Sequence, residues 1–183
     1  RTRRKEDAFV SWRTPDRIKL KIRTNSGGAR QIPVESDRAW SFEPLEIGPA
    51  IEQTLRTYRL NADDKGVTLE FSADPTLPRV LGNWDLLLQV LDNLVGNALK
   101  FTEEGHVLIT VLPALDEEMT LRIEVSDTGI GIEPEDRATI FEPFRRLNDR
   151  EPGNHGTGTG LGLDITRRNV RHMGGSLGLN STP

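Results

Sequence analysis

Residues 84–101, "WDLLLQVLDNLVGNALKF", constrain the fold more than any other stretch of the chain. Leu87, Val90, Leu91, Leu94, Val95 and Ala98 recur every three or four residues, a spacing that predicts one apolar stripe along an α-helix. Asn83 just before it is an N-cap type, able to accept a hydrogen bond from an amide of the first turn. A helix cannot cover such a stripe alone, so the fold must supply a second layer. The other face carries Gln89, Asn93, Asn97 and Lys100, spaced 4, 4 and 3, as a single polar ridge. Amides cannot take a proton at neutral pH, so this ridge is no general base. It is either a solvated surface or a set of ligands. An amide oxygen is a hard neutral ligand of the kind Mg²⁺ accepts, with waters and substrate phosphates completing the shell. Lys100, one turn further on, is within reach of those phosphates.

The remaining pattern says what the second layer is. "RIKLKIR" (17–23) alternates charge with Ile18, Leu20 and Ile22, "VTLEF" (67–71) follows a helix expected over about 47–64, and strands are expected over 105–112 and 119–126. "NSGG" (25–28) reads as a turn and "RQIPVES" as a return strand, held to an edge by Pro33. A short helix is expected after Pro134, and a last helix opens near Leu161, stops at Gly174–Gly175 and leads into the strand "SLGLN". Strands and helices mix without strict alternation. This favours a mixed sheet with helices on one face over a doubly wound fold.

Charge divides the chain. Residues 1–41 hold 11 Lys+Arg and 5 Asp+Glu, a net of +6, and the remainder holds 24 − 11 = 13 against 28 − 5 = 23, a net of −10. Two segments are therefore expected: a basic N-terminal segment over 1–41 with a β-hairpin and no assigned function, and a main domain over 42–183. The overall charge of −4 speaks against a nucleic-acid partner. The absence of cysteine excludes disulfides and thiolate metal sites. No apolar run is long enough to span a bilayer, so no direct membrane contact is expected.

Two further stretches carry chemistry. In "VSDTGIGI" (125–132) a strand ends at Asp127, a fixed carboxylate able to accept from the exocyclic amine of a base. Gly129 and Gly131 leave room for a planar ring. An Asx-turn leaving a strand explains the same residues without a ligand. In "GTGTGLGLDIT" (156–166) alternating glycines run into a helix start, where free amides and the helix dipole favour phosphate. Thr157 and Thr159 add hydroxyl donors. This loop is neither a dinucleotide-binding G-x-G-x-x-G nor a G-K-[ST] phosphate loop.

In this order the three stretches resemble the N, G1 and G2 boxes of the Bergerat (GHKL) ATP-binding fold, and "FEPFRRL" (141–147) stands where sensor histidine kinases carry their F box. The wording "VGNALKFT", "FEPF" and "MGGSL" is most similar to the hybrid type. The resemblance implies a two-layer α/β (α+β) sandwich: a mixed, mostly antiparallel sheet under about three helices. It implies ATP and Mg²⁺ as cofactors, with Asn97 on the metal and Asn93 one turn before it on the same side. Lys100 and Arg146 would contact phosphate, and Phe101 would line the pocket. Asp127 would receive the adenine amine, with Gly129 and Gly131 behind it. Gly158, Thr159, Gly160, Leu161 and Gly162 would cradle the phosphates, and residues 147–157 would form a lid over them. It implies γ-phosphoryl transfer to a histidine on a separate dimerisation domain, with a receiver domain as the later partner, in a cytoplasmic location.

This sequence departs from the family in two places. "SWRTP" (11–15) echoes the tail of the phosphoacceptor box without its histidine, so no catalytic residue is identifiable in the chain. His155 falls in the lid, and His106 and His172 read as structural. The family also continues beyond "STP" with a glycine turn and a closing strand, which would leave a sheet position that the 17–23 strand can fill. Related clamp ATPases and anti-sigma serine kinases keep a glutamate four residues before the metal-binding asparagine. Here it is Asn93, which favours the kinase reading. A nucleotide-binding module without turnover stays open as a third.

Overall fold

The computed structural model describes residues 40–113, 120–145 and 159–182, together with the backbone path and pairing of 16–23. In chain order the elements are β1 (Asp16–Arg23), β2 (Glu43–Leu45), α1 (Ile47–Lys65), β3 (Val67–Ala73), β4 (Val80–Gly82), α2 (Trp84–Phe101), β5 (Gly105–Pro113), β6 (Thr120–Asp127), α3 (Gly162–His172) and β7 (Ser176–Asn180). Five strands form one sheet in the order β3-β5-β6-β1-β7. The β3–β5 pair is parallel and the other three are antiparallel. Among the described residues, three helices and a mixed, mostly antiparallel sheet make the expected two-layer sandwich.

The layers meet where the periodicities predict. On α2 the buried residues are Leu86, Leu87, Val90, Leu91, Leu94, Val95, Ala98 and Leu99, the expected stripe widened by one residue at each end. Asn83 caps this helix by accepting from the Leu86 amide at 3.0 Å. On β5 and β6 the alternate residues Val107, Ile109, Val111, Leu121, Ile123 and Val125 are all buried, and with α1 and α2 they form a single core. Removing side chains of this size from water is the main stabilising term of the domain.

β1 lies between β6 and β7. The sheet thus takes a strand from the basic 1–41 segment. Its register sets Ile18, Leu20 and Ile22 opposite Val125, Ile123 and Leu121. The turn expected at 25–28 and the strand expected over 30–36 fall outside the described residues.

One local expectation is corrected, and two features carry no sequence signal. After Pro134 the chain makes a series of turns, not a helix, with Thr139 and Ile140 both donating to the Asp136 carbonyl. No repeated apolar spacing is available there to propagate a helix. β2 and β4 pair as a small second sheet, Leu45 opposite Val80. At three residues each, they are too short to show alternation in sequence. Lys65, in the polar run "ADDKG", is not simply solvated: its Nζ donates to the carbonyls of Leu99 at 2.6 Å, Lys100 at 3.4 Å and Thr102 at 3.2 Å. It therefore satisfies the unpaired carbonyls at the C-terminus of α2, where a positive charge also suits the helix dipole. Lys65→Met should keep the packing of the stem, remove these bonds and lower unfolding free energy by about 1–2 kcal/mol. Urea denaturation checks this, and an unchanged midpoint would show the contact to be energetically idle.

Candidate functional site

The C-terminal half of α2 brings the amide ridge to the site. Asn93 and Asn97 are half-buried and Lys100 is exposed. The Lys100 ammonium stands 5.1 Å from the Phe101 ring centroid, which orients both side chains at the helix end. Next to Asn93 the helix turns its other side toward α1. There the Tyr58 hydroxyl donates to the Asp92 carbonyl at 3.1 Å, and burial raises the Asp92 carboxyl above its ordinary range.

At the end of β6, Asp127 Oδ1 accepts from the Gly129 amide at 2.9 Å. This is the Asx-turn that the sequence offered as the simpler explanation. The turn is pressed onto the end of α2: a Cβ on Gly129 would fall 2.7 Å from the Phe101 carbonyl oxygen and 2.8 Å from Asp127 Oδ1. The contact requiring a glycine at 129 is thus with backbone of the protein itself. Ile130 adds an amide hydrogen bond to the same Phe101 carbonyl at 3.4 Å. Thr128, which the sequence reading passed over, ties the turn to the start of β5. Its Oγ1 accepts from the His106 amide at 3.0 Å and donates to the Glu104 carbonyl at 3.1 Å. Ser181, only 2% exposed, secures the far side by accepting from the Ile132 amide at 2.8 Å. Neither contact leaves a sequence signal, because both join segments distant along the chain.

The glycine-rich start of α3 completes the group. Gly160 has φ +69°, and a Cβ there would meet the Phe144 carbonyl carbon at 2.8 Å and the Arg145 oxygen at 2.9 Å. Its carbonyl accepts from the Phe144 amide at 3.0 Å. Phe144 itself has φ +63°, costly for a phenylalanine, and its ring is exposed. The Leu161 amide is 3.4 Å from Thr159 Oγ1. Asn93 Nδ2 donates to the Gly162 carbonyl at 3.3 Å. Arg167 lies over the Phe141 ring at 5.9 Å and forms an ion pair with the buried Asp164, which also binds Arg168.

The structure thus gathers Asn93, Asn97, Lys100, Phe101, Asp127, Gly129 and the 159–162 loop around α2. Gly131, with φ +73°, continues the β6 turn. Arg146, Gly158, His155 and the 147–157 segment lie outside the described residues. His106 is at the start of β5 and His172 closes α3, both as expected. Among the described residues no group of three His, Cys, Asp or Glu could hold a metal ion. A divalent cation here would depend on amide oxygen, water and the phosphates of its ligand, the coordination Mg²⁺ tolerates. Also among the described residues, no helix is long and apolar enough to cross a membrane.

A mixed sheet backed by three helices, with an asparagine-rich helix end, a strand-end aspartate turn and a glycine-rich helix start meeting on one side, defines an ATP-binding domain of the Bergerat type. The comparisons with known proteins agree. The family model described as histidine kinase-, DNA gyrase B- and HSP90-like ATPase matches residues 82–183, and the chain belongs to this family. It is 46% identical over 138 residues to drug sensory protein A of Synechocystis, a match covering 71% of this chain and 21% of that protein. Among solved structures, full-length ShkA in complex with AMPPNP aligns with TM-score 0.66 and 31% identity, covering 81% of this chain and 32% of that one. The catalytic domain of histidine kinase ThkA aligns with TM-score 0.62 and 25% identity, covering 78% of this chain and 95% of that one. The chain is thus of the sensor-histidine-kinase kind within the family, and spans about a fifth of its curated relative's length.

Proposed function

We propose that this chain binds Mg-ATP and presents its γ-phosphoryl group to a histidine on a separate dimerisation domain, in a relay that passes on to a receiver domain. Residues 42–183 form the ATP-binding unit, working on the cytoplasmic side of the membrane. Asn97 is the metal ligand, Lys100 and Arg146 bind phosphate, and Phe101 lines the pocket. Asp127 takes the adenine amine in the turn made by Gly129 and Gly131. The amides of Gly158, Thr159, Gly160, Leu161 and Gly162 receive the phosphates. Bound Mg²⁺ would neutralise charge between the phosphates. The protein contributes positioning and fixed donors, which are the main sources of catalysis in phosphoryl transfer.

The observation carrying this reading is the hydrogen-bonded convergence of three separate segments. Phe101 at the end of α2 accepts from the Ile130 amide in the Asp127 turn, and Asn93 of the same helix donates to Gly162 at the opening of α3. A merely solvated ridge would not need both. Asn93 also argues against the clamp-ATPase reading. The position that must hold a base in such an enzyme holds an amide, and that amide is engaged with backbone.

Calorimetric titration with a non-hydrolysable ATP analogue and Mg²⁺ should show binding. Incubation with γ-labelled ATP should leave the chain unlabelled and release little phosphate until a histidine-bearing helical hairpin is added, which should then become labelled. Rapid hydrolysis lost on Asn93→Ala would replace this function with a clamp ATPase. Binding with no labelling of any hairpin would leave a nucleotide-responsive interaction module.

A further inference from the structure

Gln89 begins the polar ridge of α2, yet the nucleotide reading gives it no part. Its partner is on α3. Leu163, Thr166, Asn169, Val170 and Met173 form the side of α3 turned into the protein, and Asn169 is only 7% exposed. An asparagine amide among such neighbours is costly unless it is hydrogen-bonded. Its Nδ2 donates to Gln89 Oε1 at 2.7 Å. One turn further along α2, Asn93 Nδ2 donates to the Gly162 carbonyl at 3.3 Å. As the numbering rises on α2 it falls on α3, so these are two rungs between helices running in opposite directions.

Two rungs restrain what one cannot. A single contact leaves α3 free to swing about it, whereas a second, placed well down the helix, fixes its slide and rotation against α2. Gly162 follows directly on Gly160 and Leu161, whose amides face the phosphates in the proposed function, while Asn97 is on the helix at the other end of the rungs. We infer that Gln89 and Asn169 are a positioning pair: they hold the phosphate loop in register with Asn97 and so support triphosphate affinity without touching the nucleotide. This rests on the ATP-binding reading above.

A charge-pattern cycle tests it. Gln89→Glu keeps the bond, because Asn169 donates equally well to a carboxylate. Asn169→Asp keeps it too, because the Gln89 amide can rotate and donate. The double variant Q89E/N169D puts two acceptors face to face and breaks it. Two ligands are measured on each protein: the ATP analogue with Mg²⁺ by calorimetry, and adenosine by NMR titration. The single variants should bind both as the unmutated chain does. The double variant should lose about five- to tenfold in affinity for the triphosphate, with adenosine changed less than twofold. Gln89→Ala, at an exposed position, gives a milder form of the same selective loss should the double variant not fold.

Unchanged triphosphate affinity in a folded double variant or in Gln89→Ala overturns the inference. So does an equal loss for both ligands, which would mark the pair as a general structural contact. An unmutated chain that binds adenosine but not the triphosphate, or neither, overturns the ATP-binding reading itself and the inference with it.

Discussion

Asp127→Asn should bind the ATP analogue about ten- to a hundredfold more weakly than the unmutated chain while unfolding at nearly the same urea concentration. The asparagine oxygen can still accept from the Gly129 amide, so the turn observed at 2.9 Å survives. Asparagine lacks the charge, and in the proposed complex its amino group would face the adenine amine donor to donor. Losing one hydrogen bond to a charged acceptor is worth about 1.5–3 kcal/mol, which sets the expected range. Asp127→Ala should lose the same affinity and also some stability, because the Asx-turn goes with it. The pair of variants separates ligand binding from turn formation at one carboxylate. Equal affinity of the unmutated chain for ATP and GTP would count decisively against Asp127 as the base-reading group.

Gly129→Ala should be a damaging conservative change in the site. The added methyl would come within 2.7 Å of the Phe101 carbonyl oxygen and 3.0 Å of its carbon, both backbone atoms at the end of a packed helix. A flexible side chain would give way, but this backbone cannot without drawing Lys100 and Phe101 with it. Overpacking of this kind costs about 1–3 kcal/mol. Urea denaturation should show that loss, and ATP-analogue binding should fall alongside it, because the displaced segment carries two of the proposed contacts. A variant with unchanged stability and affinity would mean the turn and the helix end are not coupled as their contact implies.

What could be read in the sequence followed from period and chemistry. The α2 stripe, its Asn83 cap and the extent of α1 were legible because local spacing and residue type determine them. The strand pattern of 105–112 and 119–126 was legible because apolar residues alternate along the face turned to the helices, although on β6 Glu124 and Ser126 on the other face are buried too. Lys65, Thr128 and Ser181 were not, because each acts on backbone far away in sequence, and an exposed lysine or a buried hydroxyl looks the same locally whether or not it has such a partner. Gly129 was legible as a glycine needing space, but its neighbour was not. The sequence suggested a bound ring behind it, whereas the structure puts the Phe101 carbonyl there. Gln89 stood on the same ridge as Asn97 and shared its chemistry. Only the position of α3 distinguishes a residue that grips a helix from one free to face a ligand.

The placement of β1 has a consequence for how the molecule is assembled. Asp16 pairs with Asp127 and Arg17 with Asn180, partners 127 − 16 = 111 and 180 − 17 = 163 positions away. Closing loops of that length is entropically expensive and slow, so the strand between β6 and β7 is expected to join the sheet late. Until it does, β6 and β7 both present unpaired edges, the surfaces on which partly folded chains associate. The β6 edge ends in Asp127, the residue proposed to take the adenine amine. Its ordering therefore waits on residues more than a hundred positions upstream, and refolding yield should depend on protein concentration most steeply when the 16–23 pairing is weakened.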